Sequence, residues 1–319
     1  MVIGYIIQIK INGMENICDY LSIVVVTYNR AILLDRTINS ILRSPFKLCP
    51  ITILNNHSTD ETISIAYNHS RNNNNVNVIT NLFNIGGDAN ILRAVEYATT
   101  KYIWILADDD TYDFSDCNDV IDKLCNGNVD LLHVGGHKEL ERPLCSCSCP
   151  KDAVNNGYPF FKTCSFIPAN IFKVQLIQDS LIDGYRNIKN SYAHMPLFIK
   201  LYDNDCSFYI SKNKIVLAEI GAQNYTHNDL LEWWINTAYT YILNNNLRLK
   251  FIYSQFFNTQ SNFKYIRLLS MLLDRNVSIL ILFQVLLMKN FIVSIFSLIC
   301  AIFWRTISKI KNNLLCRCL

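Results

Sequence analysis

The stretch Tyr102-Ile103-Trp104-Ile105-Leu106-Ala107-Asp108-Asp109-Asp110 decides how this chain is read. Six apolar or aromatic residues in a row read as a strand buried on both faces. Three carboxylates at the end of such a strand repel one another and raise one another's pKa, so the run calls for a cation. A hard divalent ion that keeps several waters and bridges to phosphate oxygens is the usual occupant, which points to a Mg2+- or Mn2+-bound phosphate compound. An acidic surface turn or a helix N-cap would read the same way in isolation. The preceding residues decide between these.

Working back from that strand, Leu21 to Thr27 (LSIVVVT) is a β-branched run that ends in Tyr28-Asn29-Arg30. Leu33, Leu34, Ile38, Ile41 and Leu42 then recur at helical spacing as far as Ser44-Pro45. A strand is expected over 51–54, a polar turn over 55–61 with Ser58 or Thr59 as a natural helix cap, and a strand over 76–80. A helix is expected over 88–98 before the strand at 102–106. Four strands alternating with three helices predict a parallel α/β sheet with helices on both faces. In such sheets ligands sit beyond the carboxyl ends of the strands, where Thr27 to Arg30, Asn55 to Thr59 and Asp108 to Asp110 all lie. An isolated surface turn has no reason to share an edge with two other polar turns, so the metal–phosphate reading prevails.

Composition bounds the rest. Half of the 319 residues are hydrophobic and 17% are charged, which suits a folded chain with one large core or two smaller ones. The formal charge of +3 comes without a long basic block, so nucleic acid is not implied as a partner. Twelve cysteines in a chain this long, with no basic n-region or small-residue cleavage site, read as reduced cytosolic thiols. The group Cys145, Cys147, Cys149 and Cys164 lacks the two-residue gap of a zinc knuckle. Beyond a strand expected over 130–134 the pattern loosens, with helices expected over 193–202, 229–244 and 263–274.

LSIVVVTYNR (21–30), LNNHSTD (54–60), NIGGDANILRA (84–94) and YIWILADDD (102–110) resemble, in order and spacing, the family 2 glycosyltransferases. The resemblance is strong over 20–115, thinner to about 220, and closest to bacterial enzymes of O-antigen or capsule assembly, including abequosyltransferase-like proteins. It implies the GT-A fold, a Rossmann-like, mostly parallel sheet flanked by helices. It also implies a nucleotide-sugar donor, a divalent metal held by Asp108, Asp109 and Asp110, and a glycan or lipid-linked acceptor. Thr27, Tyr28, Asn29, Asn84, Gly86, Asn90 and Asp108 would then face the donor, with Arg93 approaching its diphosphate. The family's acidic base-reading residue falls at Asn55 or Asn56, where an amide still accepts and donates. Asp109 would serve metal, ribose or catalysis.

An inverting transferase needs a base for the acceptor hydroxyl. Aligning Lys200 with the family's basic residue puts His194 where an aspartate is usual, and histidine titrates in the useful range. A histidine that only caps the helix is the alternative, and Asp179 and Asp183 are the reserves. Two other readings of the architecture stay open. One is a degenerate transferase acting as a membrane-tethered assembly partner. The other is a nucleotidyltransferase, whose Gly-rich basic loop Thr27 to Arg30 lacks.

Residues 278–304 are almost continuously apolar, broken by Gln284 and Lys289-Asn290 and followed by Arg305, Lys309, Lys311 and Arg317. A spanning helix, interfacial helices on the inner face of the cytoplasmic membrane, a core-covering pair and a homo-oligomer interface all fit this pattern. The expected organisation is an N-terminal extension (1–19), a catalytic domain (20–225, with its nucleotide-sugar half at 20–134 and acceptor half at 135–225), and a helical, apolar, membrane-associated C-terminal region (226–319).

Overall fold

The computed structural model describes residues 17–136, 148–217, 227–254, 269 and 298–302. The chain divides into two compact units, Met1–Asn224 and Tyr225–Leu319.

The first unit is built on a seven-stranded sheet of order β3-β2-β1-β4-β8-β6-β9. Its first half is β1 (Leu21–Thr27), α1 (Ala31–Leu42), β2 (Ile51–Asn55), α2 (Thr62–Asn72), β3 (Val76–Thr80), α3 (Gly87–Ala94) and β4 (Tyr102–Ala107). β1, β2, β3 and β4 pair in parallel, as the alternation of patterns predicts. β1 lies between β2 and β4 and is buried along nearly its whole length, which suits a continuous run of β-branched residues. β3, at the sheet edge, is exposed at Asn77 and Thr80. α1 presses Leu34, Ile38 and Ile41 into the core, and α3 stops at Ala94 in a 3-10 turn instead of running to residue 98. The core beneath these elements includes Ile17, Ile23, Val25, Phe46, Tyr102, Trp104 and Leu106.

The second half departs from a simple alternation. After β5 (Thr111–Tyr112) and α4 (Asn118–Asn126) come β6 (Leu131–His133), β7 (Gly135–Gly136), β8 (Asn170–Lys173), β9 (Phe208–Ile210) and β10 (Val216–Leu217). β8 inserts antiparallel between β4 and β6, pairing with Tyr102, Ile103 and Trp104 only. β5, β10 and β7 form a separate three-stranded sheet. Gly135 lies so close to β10 that an added Cβ would sit 2.4 Å from the Val216 carbonyl oxygen, so this pairing requires glycine.

In the second unit, helices His227–Tyr241 and Asn245–Ser254 pack through Trp234 stacked on Phe251 at 4.3 Å, with the indole N–H donated to the Phe251 carbonyl. Among the described residues no helix is long and apolar enough to cross a membrane. Apart from 298–302, the apolar segment 278–304 lies outside the described residues, as do the helix expected over 263–274 (save residue 269), Cys145 and Cys147.

Candidate functional site

In strand order the chain runs outward from β1 to β3 and returns to β4 on the other side of β1. The carboxyl ends of β1 and β4 therefore form the switch point at which open α/β sheets bind ligands. Thr27 to Arg30 and Asp108 to Asp110 flank that point.

The acid run is held from several directions. The Thr37 hydroxyl donates to the Asp108 carbonyl at 3.0 Å, the Arg36 guanidinium to the Asp110 carbonyl at 3.1 Å, and the Tyr112 hydroxyl to the Ala107 carbonyl. With its backbone fixed, the run presents carboxylates in unequal settings. Asp108 is 1% exposed and Asp110 is also buried, whereas the Asp109 side chain is one-third exposed. Arg30 Nη1 bridges the first two, 2.9 Å from Asp108 Oδ1 and 2.6 Å from Asp109 Oδ2. Burial pushes the Asp108 carboxyl above its ordinary range, against the pull of Thr27 and Arg30. Burial also acts against the Arg30 charge, but its hydrogen bonds to the two aspartates win and hold the guanidinium's pKa up. Asp108 Oδ2 and Thr27 Oγ1 are buried without a hydrogen-bond partner of good geometry. Two orphaned oxygens beside an acid run mark a place built for a cationic or hydrogen-bonding guest.

The three turns at this edge are stitched to one another. Asn29, in the left-handed region at φ 52°, receives Thr59 N–H on Oδ1 at 2.8 Å and donates its own N–H to Ser58 Oγ at 2.9 Å. Asparagine tolerates this conformation at low cost. Arg30 N–H donates to Thr62 Oγ1, which orients the Arg30 backbone toward the run. Asn55 Oδ1 accepts from Ser58 N–H and Oγ, closing the turn after β2. Asn56 Oδ1 accepts from Asn81 Nδ2 and Ile85 N–H, and its Nδ2 donates to Asn84 Oδ1. Asn84 in turn accepts from Gly86 N–H, and Asn81 donates to Asn90. Gly86 sits at φ 84°, where a side chain would be strained. These asparagines pin the loop 81–86, which leaves Asn55 fully buried and Asn56 nearly so.

His194 precedes helix Met195–Asp203 and is buried. Its Nε2 lies 3.2 Å from the Ser165 carbonyl, which can only accept, so Nε2 carries the proton and Nδ1 is left as a bare lone pair with no partner. Burial lowers the imidazole pKa, and Asp88 at the start of α3 opposes that shift. Asp88 also accepts Ala193 N–H at 3.1 Å, tying the Gly86-Gly87 turn to the segment that carries His194. In that segment Ser191 and Tyr192 both have positive φ, 46° and 49°, a strained pair of a kind that clusters at working sites.

The structure thus joins Asp108 and Asp109 on Arg30 with Thr27 beside Asp108, leaves Asp110 next in the run, and ties Asn29, Asn55, Asn56, Asn84, Gly86 and, from α3, Asn90 into the adjoining turns. Tyr28 is 42% exposed at the same edge. Arg93 is placed differently: it lies in the last turn of α3, where its charge is felt by Tyr185. Asp183 pairs with Arg186 on a surface helix. Arg30, Thr37 and Asp88 also shape the site; Arg30 and Asp88 lie within the stretches that carry the resemblance, but no individual role is read for them from the sequence.

Residues 22–140 match the model of "Glycosyl transferase family 2". A GalNAc(5)-diNAcBac-PP-undecaprenol beta-1,3-glucosyltransferase of Campylobacter jejuni is 27% identical over 200 residues, covering 60% of this chain and 62% of that protein. The chain therefore matches less than two-thirds of that relative's length. Among solved structures, S. aureus TarS 1–349 superposes with a TM-score of 0.59 at 18% identity over 79% of each chain. The same protein in complex with UDP-GlcNAc gives 0.57 at 15% identity, covering 79% of this chain and 80% of that one.

Proposed function

We propose that this chain, whose residues 22–140 match the model of "Glycosyl transferase family 2", moves a sugar from a nucleotide-diphosphate donor to a hydroxyl of a glycan acceptor, with inversion and with a divalent metal. The observation that carries the reading is the acid run at the switch point, with two buried oxygens unanswered beside it. A lipid-linked acceptor is proposed from the printed name of the Campylobacter jejuni relative, whose acceptor is a PP-undecaprenol glycan.

The residues fit a Mg2+ or Mn2+ ion of limited protein coordination. Every donor in the run is a hard carboxylate oxygen, and Asp108 Oδ2, buried beside Thr27, has no hydrogen bond of good geometry. Among the described residues no three His, Cys, Asp or Glu side chains are gathered as a complete metal cage. That suits an ion taking one or two carboxylates and completing its shell with water and diphosphate. Such an ion would neutralise the diphosphate as the sugar–oxygen bond breaks. Arg30 answers Asp108 and Asp109 in the structure described, so a bound ion would have to share these carboxylates with it.

The chain's own residues do the rest. Thr27 to Asn29 and the turn at Asn55-Asn56 form the nucleotide side, where Asn56 keeps a second Nδ2–H for a base carbonyl. The acceptor oxygen forms its bond to the anomeric carbon on the face opposite the diphosphate, whose oxygen takes the electron pair of the bond that breaks. The hydroxyl proton passes to His194 Nδ1, whose lone pair the Ser165 carbonyl keeps free and whose burial keeps the ring neutral.

The test is to titrate Mn2+ against UDP-, dTDP- and CDP-sugars by calorimetry and to follow transfer to a synthetic lipid-diphosphate glycan. Metal-dependent binding of one donor followed by release of its nucleoside diphosphate is the expected result. No donor binding under any metal defeats the proposal.

A further inference from the structure

The solvent side of α1 carries a charged feature of opposite sign that the transfer reaction does not use. Arg36, Asn39, Ser40 and Arg43 recur at the three- and four-residue spacing that places them on one helical stripe. With Ser44 they floor a cavity of about 570 Å3 walled by Tyr112, Phe114 and Ser115. The wall is rigid. Tyr112 and Phe114 stack at 5.8 Å with rings nearly parallel, and Phe114 packs edge-on against the buried Phe46 and Trp104. The core therefore sets the shape of this groove.

Its positive charge is unanswered. Arg36 gives one N–H to the Asp110 carbonyl, and neither Arg36 nor Arg43 has an ion pair among the described residues. Asp113, the nearest acid in sequence to the wall, turns its carboxylate onto Ser115 N–H at 3.0 Å. A purely solvated helix face would also carry arginines, but it would have no aromatic wall folded over it. Guanidinium forks match phosphate oxygens two at a time, and the Asn39 amide and Ser40 hydroxyl add neutral donors on the same stripe. Seven residues of helix set the two arginine Cα atoms about 10 Å apart, a span that two long side chains close around a diphosphate.

We propose that this groove binds the phosphate or diphosphate of a phosphorylated ligand, at a site separate from the donor crevice. Either a soluble phosphate ester or a lipid phosphate offers that chemistry.

The probe is inorganic diphosphate, titrated by calorimetry into the full chain in EDTA, where no metal can recruit diphosphate to the acid run. Saturable one-to-one binding is expected. Arg43→Gln should weaken it about tenfold, Arg43→Lys less, and Asp108→Asn not at all. Ser40→Asp, which sets a negative charge in the floor, should also abolish binding, and circular dichroism checks that each variant is folded. Flotation with phosphatidylcholine vesicles, with and without phosphatidylglycerol, separates the sources. Retention by the anionic vesicles that Arg43→Gln loses supports the site with lipid phosphate as ligand, and diphosphate binding without retention supports it with a soluble one. No saturable binding in EDTA, equal binding by Arg43→Gln and Ser40→Asp, or loss in Asp108→Asn overturns the proposal.

Discussion

Two charged regions meet at Asp110. On the crevice side three aspartates follow one another at the end of β4, and Arg30 answers two of them at salt-bridge distance. On the other side Arg36 and Arg43 line a groove with no carboxylate to answer them. The burial differs too. Asp108 is closed off from solvent, so its charge is costly and must be met by something specific. The arginines are exposed, and water screens them at little cost. The comparison teaches that a buried charge in this protein reports the demand of its site, whereas an exposed one reports an offer to whatever arrives.

The contrast breaks most visibly at Asp108. Asp108→Asn should lower kcat/KM by about 10²–10³-fold, an effect of the size seen when a key electrostatic contact to the reacting group is removed. The same change should raise the melting temperature in EDTA, because it replaces a buried carboxylate oxygen that lacks a partner with a neutral amide. A drop in melting temperature would show that the buried oxygen is answered in solution.

His194→Asn should cost about 10²-fold in kcat at neutral pH, the usual scale of general-base loss. Because burial lowers the His194 pKa, the acid limb of the kcat profile should lie below the ordinary histidine value. Asp88 works against that shift, so Asp88→Asn should move the limb to still lower pH, which a pH–rate profile of the two proteins reads directly. A limb that stays put in Asp88→Asn removes His194 from the proton path.

Arg30→Met should sharpen the comparison on the crevice side. With no guanidinium on the run, Mn2+ read by electron paramagnetic resonance should bind severalfold more tightly without nucleotide, and the melting temperature in EDTA should fall by a few degrees. Arg30 is itself partly exposed, so the stability effect is modest. Unchanged Mn2+ affinity would mean that arginine and metal never compete. The smallest effect is expected at Arg43, whose substitution by Gln should leave the melting temperature within about 1 °C, as for other exposed side chains.

The first half of the fold was legible because β1 and β4 are long, doubly buried runs and the helices between them have clean apolar periods. β8 was not. Asn170–Lys173 is four residues long, and it is a strand only because β4 and β6 offer it hydrogen bonds from partners far away in sequence. β5, β7 and β10 are two residues each, too short for any alternation to show.

At the site, the acid run and the strand-end turns could be read because the carboxyl edge of a parallel sheet is implied by topology. Asn55, Asn56, Asn84 and Asn90 are given roles there only through the resemblance; that the amides of Asn56, Asn81, Asn84 and Asn90 bond one another could not be read, since those partners come from different turns. Arg36 and Arg43 belong to no motif in the sequence, and the wall that makes a groove of them comes from residues about seventy positions later.

β8 reaches only as far as Trp104, so on that flank the half of β4 nearest the acid run has no strand beside it among the described residues. The buried 3-10 turn Ile167–Ala169 packs there instead, and its Pro168 carbonyl takes the Trp104 indole N–H. That flank of β4 is closed by a turn and not by a hydrogen-bonded ladder, so its packing is set by residues that can be exchanged one at a time. A fold built this way can change side chains on that flank while the ladder of β1, β2 and β3 keeps its register.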